Sequence, residues 1–226
     1  MKNILLILTV FFTSLTFAQN TIEKKVGEFT ELKVYDLIEV KLIKSDENKI
    51  VVLGKNTDEV QFINKNGTLK IRMELNKIFD GKETRVNLYY TGVEVIDGNE
   101  GAYIHSDDEI KQFEIDLNAQ EGAIIRVKVD VTYTNIRSVT GSNIQAMGKS
   151  KHQDVSIFTG GVYKGRHLET EFTDVSIRIA GEAHVNASTL VKAKVRAGGD
   201  VFIYGNPERV DESRVLGGRI KHMTKE

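Results

Sequence analysis

The residues able to do chemistry in this chain are few, and most are carboxylates. Asp154 and Asp174 occupy the same place in two copies of one tetrapeptide, Asp-Val-Ser-Ile, which begins at 154 and returns verbatim at 174. If copies stack in register, the two carboxyls stand on adjacent strands about 5 Å apart. Such a pair has the oxygen chemistry for Ca²⁺. It also has the separation of a nucleophile and acid in a retaining glycosidase, about 5 to 5.5 Å. Neighbouring copies offer Asn135 and no further acid, so two solvated acids on a strand face are expected. Asp97-Gly98-Asn99-Glu100 and Asp107-Asp108-Glu109 look like fragments of a calcium loop. Neither continues into the twelve-residue pattern with a closing glutamate, and both read as turn-forming acids.

Other chemistry lacks its pattern. The five histidines, 105, 152, 167, 184 and 222, fall at different phases of the repeat, and no cysteine exists to complete a zinc site. They are expected as scattered surface residues. Ser142 follows a glycine but has none two residues later, so no nucleophile elbow forms. Gly198-Gly199 reads as a corner rather than a phosphate cradle. Lys149-Ser150-Lys151-His152 is a short basic run without interleaved aromatics, a poor nucleic-acid signal. An exposed aromatic strip from Tyr89, Tyr90, Tyr103, Tyr133, Phe158 and Tyr163 is the candidate binding feature, since clustered aromatics anchor partners. No catalytic, cofactor or metal-ligating residue is assigned.

The elements that would position these groups are strands. Alternation runs through Phe29 to Ile43, Lys49 to Leu53, Val60 to Ile63, Leu69 to Leu75 and Arg85 to Tyr89. Asn66-Gly67 accepts positive φ at both turn positions and predicts a hairpin. From about residue 93 a repeat takes over. Gly-containing corners fall at Glu100-Gly101, Glu121-Gly122, Gly141-Ser142, Gly160-Gly161, Gly181-Glu182, Gly199-Asp200 and Gly217-Gly218, spaced by 18 to 21 residues. A unit this short cannot bury its own apolar face, whereas stacked units share one core. Val155, Ile157, Val175 and Ile177 are expected inward, with Asp154, Ser156, Asp174 and Ser176 outward. The prediction is an all-β chain: an antiparallel or mixed β portion over 19–92, then a parallel β-solenoid of about seven rungs over 93–226. A sandwich with evenly spaced turns is the alternative, and it does not call for a verbatim repeat.

Gly141-Ser142-Asn143-Ile144, with Glu121-Gly122-Ala123-Ile124 and Gly160-Gly161-Val162-Tyr163, resembles the Gly-x-x-Ile pattern of the head GIN domain family. The order of features is similar too, over about 26 to 222. The resemblance implies a right-handed parallel β-helix, exported mainly by Bacteroidetes-type bacteria and labelled an auto-transporter adhesin without established activity. Where the family often carries a proline-containing strand before its first rung, this chain has Tyr90-Thr91-Gly92-Val93.

Destination and partners follow from composition. Lys2, the apolar run from Ile4 to Phe12, and Thr16 and Ala18 at −3 and −1 describe a signal peptide over 1–18. Cysteine is absent, so neither a disulfide nor an ordinary lipoprotein anchor is expected. Net charge is −1, which suggests neither nucleic acid nor an anionic membrane. The expectation is an exported, periplasmic, cell-surface or secreted protein without a transmembrane segment after cleavage. It needs no cofactor and binds a glycan or another envelope component. A polysaccharide-cleaving enzyme and a structural assembly role are the alternatives, and oligomeric state stays open.

Overall fold

The computed structural model describes residues 22–223; the expected signal peptide lies outside them. The strands in chain order are β1 (Ile22–Lys25), β2 (Glu31–Val34), β3 (Glu39–Lys44), β4 (Lys49–Gly54), β5 (Val60–Lys65), β6 (Thr68–Met73), β7 (Thr84–Tyr90) and β8 (Val95–Gly98). Long strands follow: β9 (Tyr103–Ala119), β10 (Ile124–Val139), β11 (Asn143–Phe158), β12 (Val162–Ile177) and β13 (Glu182–Val195). The last are β14 (Asp200–Tyr204), β15 (Arg209–Arg214) and β16 (Arg219–His222). All belong to one sheet, wound as a β-solenoid of about seven turns with mixed pairing at its amino end.

From β9 to β13 each strand pairs in parallel with the next, one repeat later. Val155 sits opposite Val175 and Asp154 opposite Asp174. Val155, Ile157, Val175 and Ile177 are fully buried, as the alternation requires. Each such side chain contributes about 1.5–3 kcal/mol on leaving water, and no rung can collect that alone. Between their two halves the long strands slip register, for example between Arg126 and Lys128 and between Gln145 and Gly148. Such irregularities bend a strand.

The corners have a shared chemistry. Glu100-Gly101, Glu121-Gly122, Thr140-Gly141 and Thr159-Gly160 have positive φ at both residues. Each turn is closed by an amide from the following residue: Ala102 to Asn99, Ala123 to Gln120, Ser142 to Val139 and Gly161 to Phe158. Two positive φ values in succession define a type I′ turn, which explains glycine at the second place. The corners also bond to one another. The amides of Gly101, Gly122 and Gly141 donate to the carbonyls of Glu121, Thr140 and Thr159 at 2.9, 3.2 and 3.3 Å.

The amino-terminal strands join this stack. The β2–β3 segment turns at Asp36-Leu37 (φ 60° and 62°) without glycine. The Asp36 carboxylate is buried there and accepts the amides of Met73 and Phe79 at 3.0 and 3.2 Å. On one side β2 and β3 pair in parallel with β8 and β9, and on the other with β6 and β7. Antiparallel β4 on β7 and β5 on β6 then cover the outer rung, and β1 edges β4. The Asn66-Gly67 hairpin is formed, with Lys65 opposite Thr68.

Candidate functional site

In-register stacking turns each outward residue into a column. The column holding the repeated acids reads Asp116, Asn135, Asp154, Asp174, Lys192 and Asp211 on successive rungs. Asn135 donates to the Glu114 and Asp116 carboxylates at 2.8 and 2.7 Å. A third acid, Asp116, therefore belongs to this face, beyond the pair expected. Burial and the neighbouring Asp174 charge raise the Asp154 carboxyl above the usual carboxylate range, while Lys194 opposes them.

Two residues earlier along each strand runs an aromatic column. Tyr133 stacks on His152 with centroids 4.8 Å apart and planes at 12°, and His152 stacks on Phe172 at 5.0 Å and 12°. Phe113 tilts onto Tyr133 at 5.3 Å. Phe113 is 67% exposed and Tyr133 38%. A shallow depression of about 430 Å³ lies between this ladder and the acid column, bounded by Tyr133, Asn135, His152, Asp154, Phe172 and Asp174. Beyond Phe113 a second hollow of about 940 Å³ continues past Glu94, Gln112 and Glu114.

The expected aromatic strip is thus real in only one member, Tyr133. Tyr90 and Tyr163 are buried. Tyr103 pairs with His105 on a different column, Tyr89 lies under Lys49, and Phe158 lies under Arg137 and Arg178. Three of the five histidines have ring partners. His105, His152 and His184 each stack on an aromatic ring, at 4.9 Å on Tyr103, 4.8 Å on Tyr133 and 4.6 Å on Phe202. Against the expectation of different phases, His105 and His184 share one column, four rungs apart, with His152 on another. Among the described residues no group of three or more His, Asp or Glu is placed to hold a metal ion.

The remaining candidates have structural occupations. Asp97 pairs with Lys33 at 3.4 Å and accepts from Asn99, and Asp107 pairs with Lys41 at 2.7 Å. Glu109 is shared between Lys111 and Lys128 at 3.0 and 3.2 Å. Ser142 is buried, donates to the Ala119 carbonyl at 2.8 Å and accepts the Val139 amide at 2.9 Å. Its hydroxyl fastens a corner. Lys149 and Lys151 border a cleft of about 600 Å³ together with Arg166 and His167, but also with Glu169 and Glu171.

Inside the stack lies a polar network that the alternation pattern hides. Gln153 donates from Nε2 to the Tyr163 hydroxyl, and its Oε1 accepts from Thr173 at 3.4 Å. Thr170 and Thr173 share a bond of 2.8 Å. All four are buried.

Among the described residues no helix is long and apolar enough to cross a membrane. Several solved structures share the fold. A putative adhesin from Bacteroides fragilis superimposes with a TM-score of 0.83 at 17% identity, covering 90% of this chain and 96% of that one. A putative adhesin from Parabacteroides distasonis gives 0.71 at 17% identity over 90% and 96%. One from Parabacteroides merdae gives 0.70 at 13% over 92% and 98%. At such identities the likeness speaks for the fold. No curated protein matches. A family model spans residues 28–207, and the chain belongs to that family, described as putative auto-transporter adhesin, head GIN domain.

Proposed function

We propose that this protein is an exported, non-enzymatic binding module that holds a glycan, or a glycan-bearing envelope component, along the Phe113–Tyr133–His152–Phe172 ladder. The observation that carries the reading is the ladder itself: ring on ring across four rungs, partly exposed, beside a column of carboxylates and one amide. Sugar rings offer an apolar C–H face to aromatics and hydroxyl donors to carboxylate and amide oxygens. A linear polymer lying along the stack axis would meet both columns at every rung. Adhesin membership supports a partner outside the cell, and the expected signal peptide supports export.

Hydrolysis is not part of the reading. Asp154 and Asp174 project side by side from one face of one sheet. A glycosidase pair must instead flank the scissile bond.

The test is calorimetric titration with isolated envelope polysaccharides. Tyr133→Ala and Phe172→Ala should each weaken binding about tenfold, the ~1–2 kcal/mol scale of an aromatic anchor. Binding that survives both substitutions, or no binding to any envelope glycan, would sink the proposal.

A further inference from the structure

The outer face changes character toward the carboxy-terminal end. The corners of the earlier rungs carry Glu100, Glu121, Thr140 and Thr159, whereas the last three carry Ile179, Ala197 and Val215-Leu216. These occupy equivalent places: the amide of Gly160 donates to the Ile179 carbonyl, and that of Ala180 to the Ala197 carbonyl. Ile179 is 59% exposed, Val215 56% and Leu216 86%. Beside these aliphatic tips stand Arg178, Lys192, Lys194 and Arg196 on the outward positions of two adjacent rungs, with Arg137 farther along and Arg214 on the last rung, in register with buried Val195. All six are exposed, and none takes part in any ion pair among the described residues. The acids on the same columns are Asp116, Asp154, Asp174 and Asp211; Asp116 accepts from Asn135 and Asp211 is already held by Arg209 at 2.8 Å. Arg137 and Arg178 are splayed over Phe158 at 5.7 and 4.8 Å, which keeps both guanidinium groups spread rather than folded onto carboxylates.

We propose that this corner edge docks on an anionic lipid bilayer, with Ile179, Val215 and Leu216 entering the interface and the cations meeting phosphate headgroups. Exposed aliphatics at the corners reach acyl chains. Unpaired arginines and lysines around them complement a negative surface. A soluble anionic polymer would satisfy the cations but leave the aliphatic tips in water, which is why lipid is preferred. The nearly neutral total charge conceals this edge because acids elsewhere balance it. The inference does not rest on glycan binding: the aromatic ladder is a separate column, and of the cations only Lys192 shares the column of acids beside it.

Vesicle co-sedimentation at 0.1 M salt tests it, with equimolar phosphatidylglycerol and phosphatidylcholine compared against phosphatidylcholine alone. The protein should pellet with the anionic vesicles only. Arg178→Ala with Arg196→Ala should weaken partitioning about twenty-five-fold, about fivefold per cation lost near an anionic surface. Leu216→Ser should weaken it by several-fold even at 0.5 M salt, where charge is screened. Circular dichroism confirms folding of each variant, and Lys194→Ala gives a milder independent step. Tyr133→Ala should leave partitioning unchanged, which separates this outcome from the fate of the glycan reading. Equal binding to both vesicle types, no binding to either, unchanged partitioning in the double arginine variant, or capture by dextran sulfate without vesicle binding would each overturn the proposal.

Discussion

The corner ladder yields a prediction whose size can be worked from geometry. Thr140 and Thr159 hold φ of 50° and 48°. The left-handed region costs an L-residue about 1–2 kcal/mol and is an outlier for a β-branched one. Neither hydroxyl makes a hydrogen bond among the described residues that would offset the cost. Asparagine tolerates this region, so Thr140→Asn and Thr159→Asn should each stabilise the fold by about 1 kcal/mol. In a chain of this length that is about 2–4 °C in Tm. The double variant should gain somewhat less than the sum, because the Gly141 amide bonds directly to the Thr159 carbonyl. Differential scanning calorimetry reads the shift. Glycine at either place should gain less than asparagine, since it adds unfolded-state entropy. A fall in Tm for either asparagine variant would refute the claim that these corners carry backbone strain.

Three further outcomes follow. Gly161→Ala should cost more than Gly141→Ala: a Cβ at Gly161 would stand 2.3 Å from the Ser138 carbonyl oxygen, whereas at Gly141 it meets open space and only the positive φ opposes it. Thermal denaturation should place the former about 1–3 kcal/mol down through overpacking and the latter about 1. Tyr163→Phe and Gln153→Ala should each lose about 1–3 kcal/mol by stranding a buried partner, and a double-mutant cycle should show coupling of the same sign. Because the Asp154 carboxyl is raised in the folded protein, its ionisation opposes folding, and stability falls as pH rises from the unfolded value of about 3.8 through the folded one. Asp154→Asn should remove that fall in a chemical-denaturation series across acidic pH and be more stable than the parent at neutrality.

Much of the architecture could be read from the chain because the repeat writes its register into the letters. Asp-Val-Ser-Ile at 154 and 174 marks vertically adjacent residues, and glycine at the second corner position marks the turns. Legibility failed where tertiary contacts replace local signals. Asp36-Leu37 makes the same kind of turn with no glycine, because a buried carboxylate gripping two amides 37 and 43 residues away holds it. Nothing near Asp36 announces that. The pairing of β2 and β3 between β6–β7 and β8–β9 was equally invisible, since alternation says which face is buried but not which strand lies alongside. The aromatic ladder is a different failure. Tyr133, His152 and Phe172 are spaced by 19 and 20 residues, the repeat period itself, and Phe113 stands one residue before Glu114, the position opposite Tyr133. The signal was present, but selecting aromatics by type rather than phase gathered buried Tyr90 and Tyr163 and passed over three of the four rings. Likewise, net charge averaged away the cations of the last rungs.

The threading of the amino-terminal strands bears on how the molecule can assemble. A chain delivered amino end first presents β2 and β3 long before residues 68–106, whose strands flank them on both sides. Those first strands must wait, unpaired, until the segments on either side arrive, so growth proceeds outward in two directions from an internal layer instead of winding from the leading tip. Any helper that shields newly delivered strands would have its longest task here, and slow steps in refolding should map to this sandwiching rather than to the regular coils that follow.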